Sequence, residues 1–518
     1  MNRTPHFPLA LLCASILTAQ PAAVPFDPVE IDRQPPRNPW IKTVGDLNGD
    51  GFNDIIIGGQ NGPLVWYAWP DWTKSVIADT GYDSVDGAVA DVNGNGHLDV
   101  IIGGVLWYEN PGPDLAAAGP WQSHRIGRHR THDLEAGDLD GDGKIDIVVR
   151  GQTGFGHEEG HRILLYRQIT PTEWRSRELA CPPGEGLKLA DLNRNGRPDI
   201  VIGGRWYEND RDILDGPWRE HVFTTAWEHG DAVVAVGDLT GNKRLDVVLS
   251  PAEGAYRLSW FEAPDDPRQT EWKEHVIEPA TDHIHGMDLG DFDSDGHLDI
   301  VAAKMHQGTA PREVAVYRNQ GRGRGWDKQV LSTRGSHNIL VADIGGDGRP
   351  DVLGANHGGE HQPVELWRNQ PPRTDAGPMQ LIEDASDPDA GNLSCYKIVT
   401  PTATYFLEKY GAGLSSMIDR EGHNWIHFHP RPGSGAAGEW RGFPNAVYRE
   451  AGNYFHARNS ATDPSTLRVE HVGPERITLS AVANNGLWAG RYDFFPSHCT
   501  FTMTRMPEGH KYWVLYEG

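Results

Sequence analysis

The stretch that most constrains this chain is DLDGDGKID, residues 138–146, which crowds Asp138, Asp140, Asp142 and Asp146 around a glycine. Like charges that close repel. Either a cation sits among them, or the acids are consumed by the backbone N–H groups of a tight turn. Variants of the stretch begin at Asp46, Asp91, Asp138, Asp191, Asp238, Asp291 and Asp343. Every copy has the same surroundings. Small or aliphatic residues precede it (TVGD, AVAD, KLAD) and a short apolar run follows (IIIGG, VIIGG, IVVRG). An aromatic segment comes next (VLWYEN, GRWYEN, LSWFEA), then a polar one (WQSHRI, WREHVF, WKEHVI).

Four strand-like runs per repeat, without helical periodicity, predict an all-β chain built as a seven-bladed β-propeller. The seventh repeat reaches VELWRN and then runs into QPPRTDAGP, so its outer strand is missing; FDPVEIDR at residues 26–33 is the segment that closes the last blade. The propeller is expected over residues 24–370 and a Pro-rich linker over 371–378. A β-sandwich-like domain is expected over 379–518, where strand-like runs alternate with Gly and Asp turns.

The motif D-x-[DN]-x-[DN]-G-x-x-D followed by an apolar strand resembles the FG-GAP and VCBS repeats of integrin-type propellers and many secreted bacterial proteins, over roughly residues 26–370. The resemblance implies Ca2+ in the blade loops and no single activity, since fold does not fix function.

Calcium takes six to eight oxygen ligands, which acids at loop positions 1, 3, 5 and 9 and a backbone carbonyl can supply. On that basis Asp138/Asp140/Asp142/Asp146 and Asp291/Asp293/Asp295/Asp299 are the strongest sets, followed by Asp46/Asn48/Asp50/Asp54. Asp91/Asn93/Asn95/Asp99 and Asp191/Asn193/Asn195/Asp199 exchange two acids for amides. Two copies depart from the pattern. Thr240 and Lys243 interrupt DLTGNKRLD, and Gly345 removes a ligand from the set Asp343/Asp347/Asp351.

The formal net charge of −25 argues against nucleic acid and anionic membranes as partners and favours cations. Residues 1–23 read as a cleaved signal peptide; the apolar run Leu9 to Leu17 is too short to span a bilayer, and Leu12 before Cys13 speaks against lipidation. A secreted or periplasmic protein with no membrane span is expected. Of the remaining cysteines, Cys395 and Cys499 are the one pair open to a disulfide, leaving Cys181 unpaired.

His124, His221 and His275 recur at one point of the polar fourth segment and read as structural. Arg130 and His132, His229, His283 and His285, and His337 lie where the chain enters an inner strand. His157, His161, Arg162, His306, His357 and His361 lie between second and third strands. Both kinds of loop emerge on one face of a propeller, so a ring of imidazoles is expected at the channel mouth, fit for proton transfer or for a transition metal. With arginines nearby this suggests a lyase or hydrolase acting on an acidic polysaccharide. The alternative is a non-catalytic module binding glycans or a protein partner. In the second domain Trp425, Trp440, Trp488 and Trp513 are candidates for sugar stacking. His427, His429, Arg441 and His456 form a second polar group there.

Overall fold

The computed structural model describes residues 23–370 and 379–514, apart from 81–84, 104, 116–118, 130, 152–160, 420–421, 427, 429–442, 445, 449–451, 458–463, 475 and 508–512. Residues 1–22 of the signal segment and the linker 371–378 therefore lie outside the described residues.

Seven four-stranded antiparallel sheets lie between Phe26 and Asn369. Blade 1 is a meander of Pro39–Gly45, Asp54–Gly59, Leu64–Ala68 and Thr73–Ala78. Blades 2 to 7 repeat it behind the inner strands Gly87–Ala90, Asp133–Gly137, Lys188–Ala190, Ala232–Gly237, Ile284–Gly290 and His337–Ala342. The outer place in blade 7 is taken by Phe26–Asp32, which pairs antiparallel with Val364–Asn369 and joins the two ends of the ring.

The apolar runs after each acidic loop are second strands buried on both faces. Successive side chains of a strand point to opposite sides. Ile55 and Ile57 therefore pack on Leu353, Val364 and Leu366 of blade 7, whereas Ile56 packs on Val100 and Ile102 of blade 2. One apolar cluster of this kind fills each of the other gaps between blades. Inner strands crowd near the axis and need small residues. A Cβ on Gly45 would lie 2.7 Å from Val89 Cγ1.

A row of buried amides adds polar links between blades. Asn110 Nδ2 of blade 2 donates to Leu47 O of blade 1 at 2.8 Å. Asn209, Asn319 and Asn369 repeat this to Leu139, Phe292 and Leu239 carbonyls of the preceding blade, Asn319 taking Leu239 and Asn369 taking Phe292, all at 2.8 Å. In blade 3 Gln168 substitutes, donating from Nε2 to Val92 O. The four asparagines close the recurrent tripeptides YEN, YRN and WRN.

The second domain is a β-sandwich. One meander runs through Gln380–Asp387, Leu393–Val399, Ala403–Glu408 and Leu414–Asp419, the other through Ser465–Val472, Ile477–Ala483, Ala489–Phe494 and Cys499–Arg505. Their facing sides bury Ile398, Tyr405 and Leu407 against Leu479, Tyr492 and Phe494. The sandwich sits on the rim of blades 1 and 7. Arg491 Nη2 donates to Asp50 O at 2.5 Å, His498 Nε2 approaches Gly346 O at 3.2 Å, and Phe52 lies under the guanidinium groups of Arg476 and Arg491.

Two expectations for this domain are corrected. Cys395 and Cys499 are not joined: both are free thiols, with Cys395 opposite Glu408 in the first sheet and Cys499 opposite Phe494 in the second. Trp488 is buried at 2% exposure and stacked on Tyr454, so it is core rather than a sugar platform. Trp425 remains exposed, its indole N–H donating to Asp419 Oδ2. Trp440, Arg441, His427 and His429 lie outside the described residues, and nothing is described of the Trp513 side chain. His456 is fully buried against Phe428.

Replacing Asn209 with Ala leaves the carbonyls of Leu139 and Pro198, both hydrogen-bonded to it, without that donor. Urea denaturation is expected to show a loss of about 1–3 kcal/mol, against no measurable change for Asn→Ala at an exposed loop position.

Candidate metal loops and the axial histidine cluster

The acidic loops share one hydrogen-bond plan. In all seven the first Asp accepts two loop N–H groups: Asp138 takes those of Asp142 and Gly143, and Asp46, Asp91, Asp191, Asp291 and Asp343 do the same. Asp238 also keeps the plan, with Asn242 and Lys243 as donors. The ninth-position Asp is buried in every blade and buckles the loop to the sheet. Asp146 accepts from Leu139 N and Gln168 N, Asp54 from Leu47 N and Trp69 N, and Asp99, Asp199, Asp246, Asp299 and Asp351 likewise. Burial pushes the pKa of Asp54, Asp146, Asp199, Asp246, Asp299 and Asp351 up to about 7 and that of Asp99 up to about 6.

Among the described residues two loops bring acid oxygens close enough for a shared ion. One oxygen each of Asp138, Asp140 and Asp146, and of Asp291, Asp293 and Asp295, lie within 4.8 Å of one another. An all-oxygen set of this kind suits a hard divalent cation. A feature invisible in the motif qualifies blade 3: Arg167 places Nε 2.5 Å from Asp140 Oδ2 and Nη2 3.1 Å from Asp142 Oδ2. Its counterpart in blade 6, Arg318, lies 3.6 Å from Asp327. In the amide loops Asn48, Asn93 and Asn193 accept the N–H of Asp50, Asn95 and Asn195.

On the propeller axis is a second constellation. Residues from all seven blades, among them Lys42, Asp86, His132, Glu185, His285 and Asn338, line a cavity of about 70 Å³. His132 Nε2 lies 3.3 Å from Glu185 Oε2, and His285 Nε2 lies 3.2 Å from Glu185 Oε1. His285 stacks on His337, His337 meets His357 and His357 meets His306, with ring centroids 4.2, 4.2 and 4.6 Å apart. Buried Nδ1 atoms of His306, His337 and His357 have no hydrogen-bond partner among the described residues. Burial opposes charge on His132, yet the Glu185 and Asp133 carboxylates outweigh it and push its pKa up to about 9. Glu185 likewise overcomes burial at His285 and raises it. His337 and His357 go the other way: burial and neighbouring imidazoles hold His337 well below its usual range and bring His357 to about 3.

The structure thus brings together His132, His285, His306, His337 and His357 of the expected ring. The others stand apart. His229 lies beside Tyr256. His283 pairs with Asp282, and Lys304 holds the same carboxylate. Arg162 faces Glu178 on the outer strand, His361 faces Glu365, and half-buried His161 gives its carbonyl to Cys181 N. Arg130 and His157 lie outside the described residues. His124, His221 and His275 each stack on a Trp and reach a Glu at 2.9–3.0 Å. Glu185 was not among the expected residues. Its signal was the sequence PPGEGLK: Gly184 and Gly186, both at positive φ, have no room for a Cβ against the Gly230 and Ala232 carbonyls. That squeeze delivers the acid between them to the axis.

A ring of four-stranded sheets with an acidic loop at the same place in each blade defines a β-propeller. The chain carries FG-GAP-like repeats: the model of that repeat matches residues 46–102, 238–302 and 291–354. Integrin alpha pat-2 of Caenorhabditis briggsae is 24% identical over 234 residues, covering 42% of this chain and 17% of the integrin. Integrin alpha pat-2 of Caenorhabditis elegans gives the same figures. The match therefore takes in less than a fifth of these relatives' length. Among solved structures, BBS1N in complex with ARL6DN aligns at TM-score 0.45 and 12% identity over 67% of this chain and 97% of that one. The Dos1 propeller aligns at TM-score 0.37 and 12% identity, over 63% and 78%.

The depressed His357 has a measurable consequence. The unfolded chain takes up a proton below pH ~6.5 that half-buried His357 refuses until about pH 3. Stability therefore falls as pH drops through that window. Between pH 7 and 5 the wild type is expected to lose about 2 kcal/mol more than His357→Gln in paired urea titrations.

Proposed function

We propose that this protein is a secreted, calcium-stabilised propeller serving as a binding module of the adhesion type, with a protein as its partner. The observation that carries this is the set of FG-GAP-like repeats closed into a ring, with acidic loops at the same place in every blade. Calcium is the ion best suited to oxygen-only loops. Asp291, Asp293 and Asp295 would hold it, with Asp299 buckling the loop behind them. The ion would screen the mutual repulsion of these acids and stiffen the loop rim. The sandwich packs on the rim at blades 1 and 7, so the partner surface falls on the remaining blades.

Cleavage of an acidic polysaccharide draws less support. A net charge of −25 repels a polyanion. The axial cavity of about 70 Å³ is well below the ~300–1,000 Å³ of ordinary ligand pockets.

Chelation by EDTA is expected to lower Tm by a few degrees, with recovery on adding excess Ca2+. Paired Asp291→Asn and Asp293→Asn substitutions should reduce that recovery without changing the fold by circular dichroism. Incubation with uronate-containing glycans should produce no absorbance from unsaturated uronate. Appearance of that absorbance, lost in His285→Ala, would replace the binding reading with a catalytic one.

A further inference from the structure

We propose that the propeller axis binds one divalent transition-metal ion of the zinc class through His132 Nε2, His285 Nε2 and the Glu185 carboxylate. This site is separate from the oxygen-only loops and does not depend on the function proposed above.

Tautomers lead to it. Asn338 Nδ2 donates to Val85 O at 2.9 Å, which turns Asn338 Oδ1 toward His285 Nδ1 at 2.9 Å. An amide oxygen only accepts, so His285 Nδ1 carries a proton. In the neutral ring Nε2 then presents its lone pair, and it points at Glu185 Oε1. His132 is arranged the same way, with Nδ1 3.3 Å from Asp133 Oδ1 and Nε2 toward Glu185 Oε2. Two lone pairs facing one carboxylate repel unless positive charge lies between them, and one ion supplies it by displacing the protons that Glu185 otherwise holds on the two rings. Anchoring the far ring nitrogen to a carboxylate or carbonyl oxygen is how metal-binding histidines are oriented.

Distances agree. The N···O separations of 3.2 and 3.3 Å exceed the ~2.7–2.9 Å of a charge-assisted hydrogen bond. One to each oxygen of the carboxylate, they are close to the ~3.3 Å that separates neighbouring ligand atoms around an ion with ~2.0–2.1 Å bonds. All three side chains are buried, at 8%, 5% and 1% exposure for His132, His285 and Glu185. One ligand atom from each lies within 4.8 Å of the others. The adjoining cavity of about 70 Å³ has room for a water as fourth ligand. Imidazole with carboxylate selects zinc-like ions over calcium. The ligands come from blades 3 and 6 and from the segment leading into blade 4, so the ion ties the ring across its axis, where no strand pairing runs.

The test uses the purified full chain, stripped of metal and saturated with Ca2+, then titrated with Co2+ as the spectroscopic probe. One equivalent is expected to bind with the intense visible bands of a four-coordinate ion, and Zn2+ should displace it. Glu185→Gln and His285→Gln should each weaken binding by at least ~10-fold, whereas Asp293→Asn should not. Failure of the wild type to take up one equivalent with those bands overturns the site, whatever the variants do. So does full retention in both axial variants, which would mean cobalt on surface histidines.

Discussion

Burial of every second strand on both faces is the constraint on which this molecule rests. A sheet with two apolar faces is stable only between two neighbours, so seven such sheets in sequence have to close on themselves or leave an exposed apolar face. Closure is completed by strand exchange between the chain's ends: Phe26–Asp32 lies against Val364–Asn369, while Val24 packs into the gap between blades 6 and 7. The buried amides then fix rotation between blades. Each spans from the end of a third strand to the loop of the blade before it, so it ties neighbouring blades together.

The shape of the acidic loops is fixed by hydrogen bonds to their own backbone. Both oxygens of the first Asp and both oxygens of the ninth are engaged by backbone N–H groups, and the loop starting at Asp238 keeps the same bonds despite Thr240 and Lys243. Loop shape and ion binding are therefore separable properties of one motif. Shape needs only the two outer acids, while an ion needs the middle positions as well. This separation explains why copies with poor ligand sets still take their place in the ring, and why Arg167 can face the acids of blade 3 without disturbing its turn.

At the axis the electrostatic problem is different. Inner strands meet around a space too small for bulk water, so every polar group there must find a partner in the protein or a bound species. Lys188 reaches Glu135 at 2.6 Å, Lys42 bonds to the Pro39 carbonyl at 2.6 Å, and Asp86 accepts the Leu134 N–H. Imidazoles divide into two populations within a few ångströms. Those beside Glu185 are driven toward charge, whereas His337 and His357, away from it, are driven toward neutrality.

The amino-acid sequence by itself determined the repeat, the order of strands in each blade and the acidic loops, because these depend on side-chain alternation and turn chemistry over a few neighbouring residues. The stacked His124, His221 and His275 were legible for the same reason, as they repeat with the blades. Only the tertiary structure decided which loop residues meet. Glu185, His132 and His285 are far apart along the chain and share no local pattern, and they meet only because closing the ring carries three separate blades to one axis. The same holds for Arg167 over the blade 3 acids and for the separation of Cys395 from Cys499. Pairing at such distances is set by the packing of whole sheets, on which short-range sequence carries no information.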